Sequence, residues 1–126
     1  GGSALDLAKA VSALITNGGD VLEYVEVFGR GQAITKQPVP LICVPTTAGT
    51  GSEATKNAVL KSNEHGLKAS MRHDNMLPDR AIIDPTLMVS CPPDVTAHVG
   101  LDTLCQVSAL RPFVLSCPAL SCPVLE

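Results

Sequence analysis

Four hydroxyl side chains stand on a short run of small residues, Pro45-Thr46-Thr47-Ala48-Gly49-Thr50-Gly51-Ser52-Glu53. Glycines on both sides of Thr50 let the backbone come close to a ligand, and hydroxyls beside free N–H groups suit phosphate oxygens. A second place of this kind is Gly1-Gly2-Ser3, which leads into a helical pattern with Ser3 as the expected N-cap and Asp6 as its reciprocal partner. The first turn of such a helix offers unpaired N–H groups and the positive end of a dipole, which makes an anion site. Further on, His98, Asp102 and Gln106 are spaced by four and share one helical face, an arrangement that invites a divalent metal. Blander readings stand beside these: a polar turn, a well-capped surface helix, and a hydrogen-bonded polar stripe on a helix that supplies too few ligands for a metal site.

These residues need elements to hold them. Val39 to Val44 is a short apolar run, expected as a strand covered on both faces in a parallel sheet, and Pro45 ends it. In open α/β sheets the ligand crevice lies outside the carboxyl ends of the strands, where the hydroxyl-rich loop begins. The helix after Ser3 carries Ala4, Leu7, Ala8, Val11, Leu14 and Ile15 at helical spacing, expected as its buried face, and Asn17-Gly18-Gly19 stops it. Asp20 to Phe28 reads as a short packing helix, followed by Gly29-Arg30-Gly31 and a polar connection from Gln32 to Pro38.

Ala54–Leu60 and Leu67–Met71 read as two strands joined by a longer hairpin turn, which brings Thr55, Asn57 and Lys68 within reach of the loop. Each of the three is also compatible with an ordinary solvated strand position. Ala81-Ile82-Ile83 is a further short strand, ended by Asp84 as a cap with Pro85 at the first helical position. Pro92-Pro93-Asp94 opens a last helix bearing Val95, Val99 and Leu101 to Leu104. Pro112 is expected to break it, leaving an irregular tail over 112–126 with Ser-Cys-Pro twice. The length by itself leads to the expectation of one core.

Composition narrows the partners. In 126 residues with a net charge of -3, there is no basic surface for nucleic acid or anionic membrane. Phe28, Phe113 and Tyr24 are the only aromatics, so there is no base-stacking platform. Five cysteines without a compact framework fit a reduced, cytoplasmic protein. Every apolar stretch is interrupted before it reaches the length of a membrane span. A small-molecule ligand is the remaining class. The absence of an initiator Met and the opening Gly-Gly-Ser turn point to a chain truncated at its start.

Three stretches together resemble the iron-containing (group III) alcohol dehydrogenases: Gly1 to Lys9, Pro45 to Glu53, and Pro78 to Pro85 leading to Gly100-Leu101-Asp102-Thr103-Leu104. Their order and spacing also match, over about residues 1 to 107. The resemblance implies an α/β chain in which residues 1–91 are part of a Rossmann-like dinucleotide-binding domain and 92–111 the first helix of an all-helical, metal-binding C-terminal domain, with 112–126 as tail. It implies that Gly2 and Ser3 hold the pyrophosphate of NAD or NADP and that Thr46, Thr47 and Thr50 touch the phosphates and the nicotinamide side. Thr55, Asn57 and Lys68 match further cofactor contacts, and the segment from Leu87 to Cys91 lines the nucleotide.

By the same resemblance Asp102 matches the first ligand of the family's Fe(2+) or Zn(2+). The usual His four residues later is Gln106 here, a poorer ligand, and the two other family histidines have no counterpart in this sequence. No residue stands out as a general acid or base. The implied reaction is hydride transfer between an alcohol or aldehyde and NAD(P), metal-assisted in a full-length protein, with this chain inactive alone and a homo-oligomer left open. Two alternatives compete: a non-catalytic nucleotide-binding remnant and a metal-independent enzyme of the maleylacetate reductase type.

Overall fold

A computed structural model describes residues 1–27, 29–64 and 66–116, with the side chains of the last helix as far as residue 109. The chain runs α1 (Gly2–Asn17), α2 (Val21–Tyr24), β1 (Ile42–Cys43), β2 (Asn57–Ser62), β3 (Leu67–Arg72), β4 (Arg80–Ala81) and α3 (Pro93–Ser116), with single 3₁₀ turns at Ser52–Ala54, Asp74–Met76 and Pro85–Met88. β2 and β3 form an antiparallel hairpin in the register Asn57↔Arg72 to Ser62↔Leu67. β1 and β4 pair in parallel, Ile42↔Arg80 and Cys43↔Ala81. The result is α/β, with α1 packed across the hairpin.

The core gathers Ala10 and Ala13 of α1, Tyr24, Val25, Ile34, Ala58, Ala69, Met71 and Met76. Small residues on α1 let its axis approach β2 closely, and the two methionines fill the irregular space beside the hairpin. Asn17 fastens the connection that follows α2: its Oδ1 accepts from the Thr35 and Lys36 amides at 3.0 and 2.8 Å, and its Nδ2 donates to the Lys36 carbonyl at 3.0 Å. That connection, expected to be merely polar, thereby buries Ile34.

Several expectations need correction. The buried side of α1 is Lys9, Ala10, Ser12 and Ala13, while Leu7, Val11 and Ile15 of the expected apolar face are exposed. Helical periodicity identified a stripe of large residues, but the hairpin covers the adjacent stripe of small ones. Ser3 is not the N-cap: α1 begins at Gly2, capped by Gly1 without a side-chain bond, and Asp6 turns inward instead of back to the helix start. α2 stops at Tyr24, where the chain leaves to let the Glu26 amide donate to the Ser70 carbonyl at 2.9 Å.

The expected central strand at Val39–Val44 is reduced to Ile42–Cys43, and only Cys43 is buried. Leu41 is tied instead to Asp79, whose side chain accepts the Leu41 amide at 2.7 Å and whose own amide donates to the Leu41 carbonyl at 2.9 Å. The strand at Ala81–Ile83 is similarly short, Arg80–Ala81. α3 passes Pro112 and runs to Ser116, since a proline removes one helical hydrogen bond without always ending the helix. Phe28, His65 and residues 117–126 of the expected tail lie outside the described residues.

The expected hairpin is present, but its first strand is Asn57–Ser62 and not Ala54–Leu60, because Ser52–Ala54 form a 3₁₀ turn; the Asp84-Pro85 start matches its expectation, with Asp84 Oδ1 accepting from the Thr86 amide at 2.9 Å. Among the described residues no helix is long and apolar enough to cross a membrane.

Candidate functional site

Helix geometry leaves the Gly2 and Ser3 amides at the start of α1 without an intrahelical acceptor, because the first bonds to form run from Ala4 and Leu5 to the Gly1 carbonyl. The hydroxyl loop lies directly against this end. The Gly1 ammonium donates to Thr46 Oγ1 at 3.1 Å, and Thr50 packs so close that a Cβ on Gly2 would come within 3.0 Å of its side chain. Gly51, at φ +64°, turns the chain into the 3₁₀ turn at Ser52, a left-handed position that glycine adopts without steric strain.

From there the loop is bound to α1 from within. Ser52 Oγ donates to Asp6 Oδ1 at 2.5 Å, Asp6 Oδ2 accepts the Val59 amide at 3.1 Å, and Lys9 reaches the carbonyls of Ser52 and Asn57 at 2.7 Å each. Lys9 and Asp6 also form an ion pair at 3.2 Å, so the buried ammonium has its counter-charge one helical turn away. The other side of the loop meets α3. Thr103 Oγ1 shares its one proton between the Val99 carbonyl at 3.0 Å and the Gly49 carbonyl at 3.2 Å, and a Cβ on Gly49 would sit 2.3 Å from the Val99 carbonyl, so the loop backbone passes where no side chain fits.

Between these walls is an open cavity of about 940 Å³. Of the sequence-derived site residues it brings together Gly2, Ser3, Thr50, Thr55, Asn57, Lys68, Asp102 and Gln106. Thr47 faces a second cavity of about 590 Å³ with Pro85, Met88 and Thr103, on the far side of the loop. Thr46 and Leu87 line neither, although Pro85 and Met88, on each side of the Leu87 segment, reach the second.

Two lysines emerge from the structure that spacing arguments had passed over. Lys61 lines the large cavity and pairs directly across the hairpin with Lys68, placing two like charges on neighbouring strands. Opposed like charges disfavour a hairpin on their own, and an anion between them would relieve the repulsion. Their pairing was available in the sequence as a hairpin register, since positions 61 and 68 lie symmetrically about a turn near 64 and 65. Lys9 had the weaker signal of an acidic residue three positions before it.

The metal reading fares differently. Asp102 Oδ2 accepts a hydrogen bond from Gln106 Nε2 at 2.8 Å, which engages one of its two oxygens, and among the described residues no group of three or more His, Cys, Asp or Glu could hold a metal ion. Among the described residues Asp102, Gln106 and His98 thus do not by themselves complete a metal centre.

Electrostatics elsewhere are local. Burial pushes the Cys43 thiol above its usual range, with the nearby Lys9 charge opposing that effect. The hydrogen bond and charge of Lys56 hold Asp74 below the usual carboxylate range, and hydrogen bonds from Thr86 do the same for Asp84. Among the described residues every buried side-chain nitrogen and oxygen has a partner.

Residues 1–85 match the iron-containing alcohol dehydrogenase family. The chain is 46% identical over 104 residues to long-chain-alcohol dehydrogenase 1 of Geobacillus thermodenitrificans, a match that covers 82% of this chain and 26% of that protein. To 4-hydroxybutyrate dehydrogenase of Cupriavidus necator it is 38% identical, over 82% of this chain and 27% of the relative. Among solved structures, sulfoacetaldehyde reductase from Bifidobacterium kashiwanohense in complex with NAD+ superposes with a TM-score of 0.74 at 40% identity, covering 81% of this chain and 26% of that one. NADH-dependent butanol dehydrogenase A from Thermotoga maritima gives 0.77 at 30% identity, over 86% and 26%. The chain thus spans about a quarter of the length of these relatives. With the family match over residues 1–85 and these identities and superpositions, the chain belongs to the iron-containing alcohol dehydrogenase family.

Proposed function

We propose that this chain is the dinucleotide-holding portion of an NAD-dependent alcohol dehydrogenase. The observation that carries the reading is the shared cavity: free amides of Gly2 and Ser3 on one wall, Thr50, Thr55 and Asn57 on the other, and the Lys61–Lys68 pair on the hairpin between them. Amide and hydroxyl donors and two lysines reach one space large enough for a phosphate-bearing ligand, alongside the Asp6 and Asp102 carboxylates, while the loop and α1 are already locked together. Pyrophosphate would take the α1 amides, the threonine hydroxyls would orient the adjoining ribose and nicotinamide, and the lysines would offset the phosphate charge. Bound NAD supplies the hydride acceptor for an alcohol, or as NADH the donor for an aldehyde. NAD is favoured over NADP because one of these neighbours is in complex with NAD+ and another is named as NADH-dependent.

The substrate class is a small alcohol or aldehyde, and the setting is the cytoplasm. The isolated chain is inactive as a dehydrogenase on this reading, because among the described residues no group of three or more His, Cys, Asp or Glu could hold a metal ion. A non-catalytic nucleotide binder is the second reading, favoured by the closed Asp102–Gln106 pair.

Calorimetric titration of the 126-residue chain with NAD tests the proposal. Saturable binding is expected, weakened by added salt and by Lys68→Ala, since part of the affinity is charge attraction. Absence of any NAD binding would remove the proposal, and NAD reduction by the chain with an alcohol would overturn its inactivity.

A further inference from the structure

The buried cation of this molecule is not in the cavity. Lys9 is 1% exposed and its ammonium is surrounded by five oxygens: the carbonyls of Ser52 and Asn57 at 2.7 Å, Thr55 Oγ1 at 3.0 Å, the Thr55 carbonyl at 3.2 Å and Asp6 Oδ1 at 3.2 Å. An ammonium has three protons to donate, so this shell leaves none for a ligand. Lysine is also the side chain that suits such a shell, because its donors rotate on a single nitrogen whereas a guanidinium fork is planar.

From this we infer that Lys9 is a positioning residue that clamps the 52–57 segment to α1, so that the two walls of the cavity are held in one register. The three carbonyls it gathers belong to residues 52, 55 and 57, all three of which line the cavity. Drawing those carbonyls inward fixes the segment's backbone, and with it the distance from Thr55 and Asn57 to the amides of Gly2 and Ser3. Asp6 completes the clamp by holding Ser52 Oγ and the Val59 amide from the same turn of helix. The consequence for ligand binding rests on the dinucleotide reading above, whereas the clamp itself does not.

The test compares the whole chain with its Lys9→Met variant, first without ligand. Amide hydrogen exchange at Ala54, which donates to the Gly51 carbonyl at 2.9 Å, is expected to quicken about tenfold or more, with Ala13 in mid-α1 changing far less. Equal acceleration at both sites, or none at Ala54, would overturn the clamp. Calorimetry with two probes then separates positioning from general loosening. NAD, which needs Thr55 and Asn57 as well, is expected to bind about tenfold more weakly, and inorganic pyrophosphate, which needs the α1 amides and the hairpin lysines but not the 52–57 segment, within about twofold of the unaltered chain. A parallel loss for both probes counts against positioning.

If the unaltered chain binds no NAD, the dinucleotide reading fails while the exchange data still decide the clamp. Should Lys9→Met not fold, Thr55→Val removes one acceptor of the shell; exchange at Ala54 should rise, and Thr55→Ser, which keeps the hydroxyl, should restore it. Unchanged exchange in Thr55→Val would sink the inference.

Discussion

Gln106 donates its side-chain amide to the Asp102 carboxylate at 2.8 Å, one turn apart on the same face of α3. A carboxylate so engaged has an oxygen taken up by a neighbour that is itself a weak ligand. Replacing Gln106 by His would put an imidazole nitrogen at the i+4 position, where an acid and a histidine on one helical face make a two-ligand site. Gln106→His is therefore expected to raise Zn(2+) or Co(2+) affinity by about tenfold or more, read by titration and, for cobalt, by its visible absorption. Equal affinity in the two proteins would show that Asp102 is not available to metal at all.

Asp6 offers a test of the interior. Asp6→Ala leaves the Lys9 ammonium buried without its counter-charge and also removes the acceptor of Ser52 and Val59, so a loss of about 3 kcal/mol is expected from urea unfolding. Asp6→Asn keeps an acceptor oxygen and should lose less. If Asp6→Ala unfolds at the same urea concentration as the parent, the pair contributes nothing to stability.

Gly49→Ala probes the contact between the loop and α3. With a Cβ aimed 2.3 Å from the Val99 carbonyl, the helix or the loop must shift, and the Thr103–Gly49 bond is lost with it. A stability decrease of about 1–3 kcal/mol is expected, with amide chemical-shift changes concentrated at 47–51 and 99–103. Shifts confined to position 49 would mean that the approach is looser than the structure shows.

Acid acts at a defined place. The Thr86 hydrogen bonds lower the Asp84 carboxyl below its ordinary value, so ionised Asp84 is favoured in the folded chain. The stabilisation it gives is present above the carboxyl's unfolded value and is lost as pH falls through the lower, folded one. An NMR titration should show the Thr86 amide moving with that low midpoint, and Asp84→Asn should abolish the movement. A midpoint at or above the ordinary aspartate value would contradict the cap.

Features written in neighbouring residues were legible in the sequence, and features made by distant segments were not. Asp84-Pro85 and the β2–β3 hairpin could be read because their signals lie within a few residues of one another. The cavity residues Thr50, Thr55, Asn57 and Lys68 could be read because a loop leaving a strand and the strands beside it constrain one another over short distances. The buried side of α1 could not. Leu7, Val11 and Ile15 form as regular a stripe as Lys9, Ala10 and Ala13, and which stripe is covered depends on a hairpin more than 40 residues away. Burial of Lys9 was hidden for the same reason, since its acceptors are carbonyls whose convergence no residue type records.

The brevity of the β1–β4 pair has a consequence for motion. Two residues on each side, with Ile42 and Ile82 half exposed, hold the loop's entry by few bonds, among them Ile82 to the Cys43 carbonyl at 2.9 Å. A ladder so short opens by local fluctuation well below the free energy of global unfolding, whereas the hairpin is backed by α1. The loop's entry at Val44 is thus held less firmly than its exit at Ser52, and the Gly1–Thr46 and Thr103–Gly49 bonds are what keep the stretch between them from following the ladder when it opens.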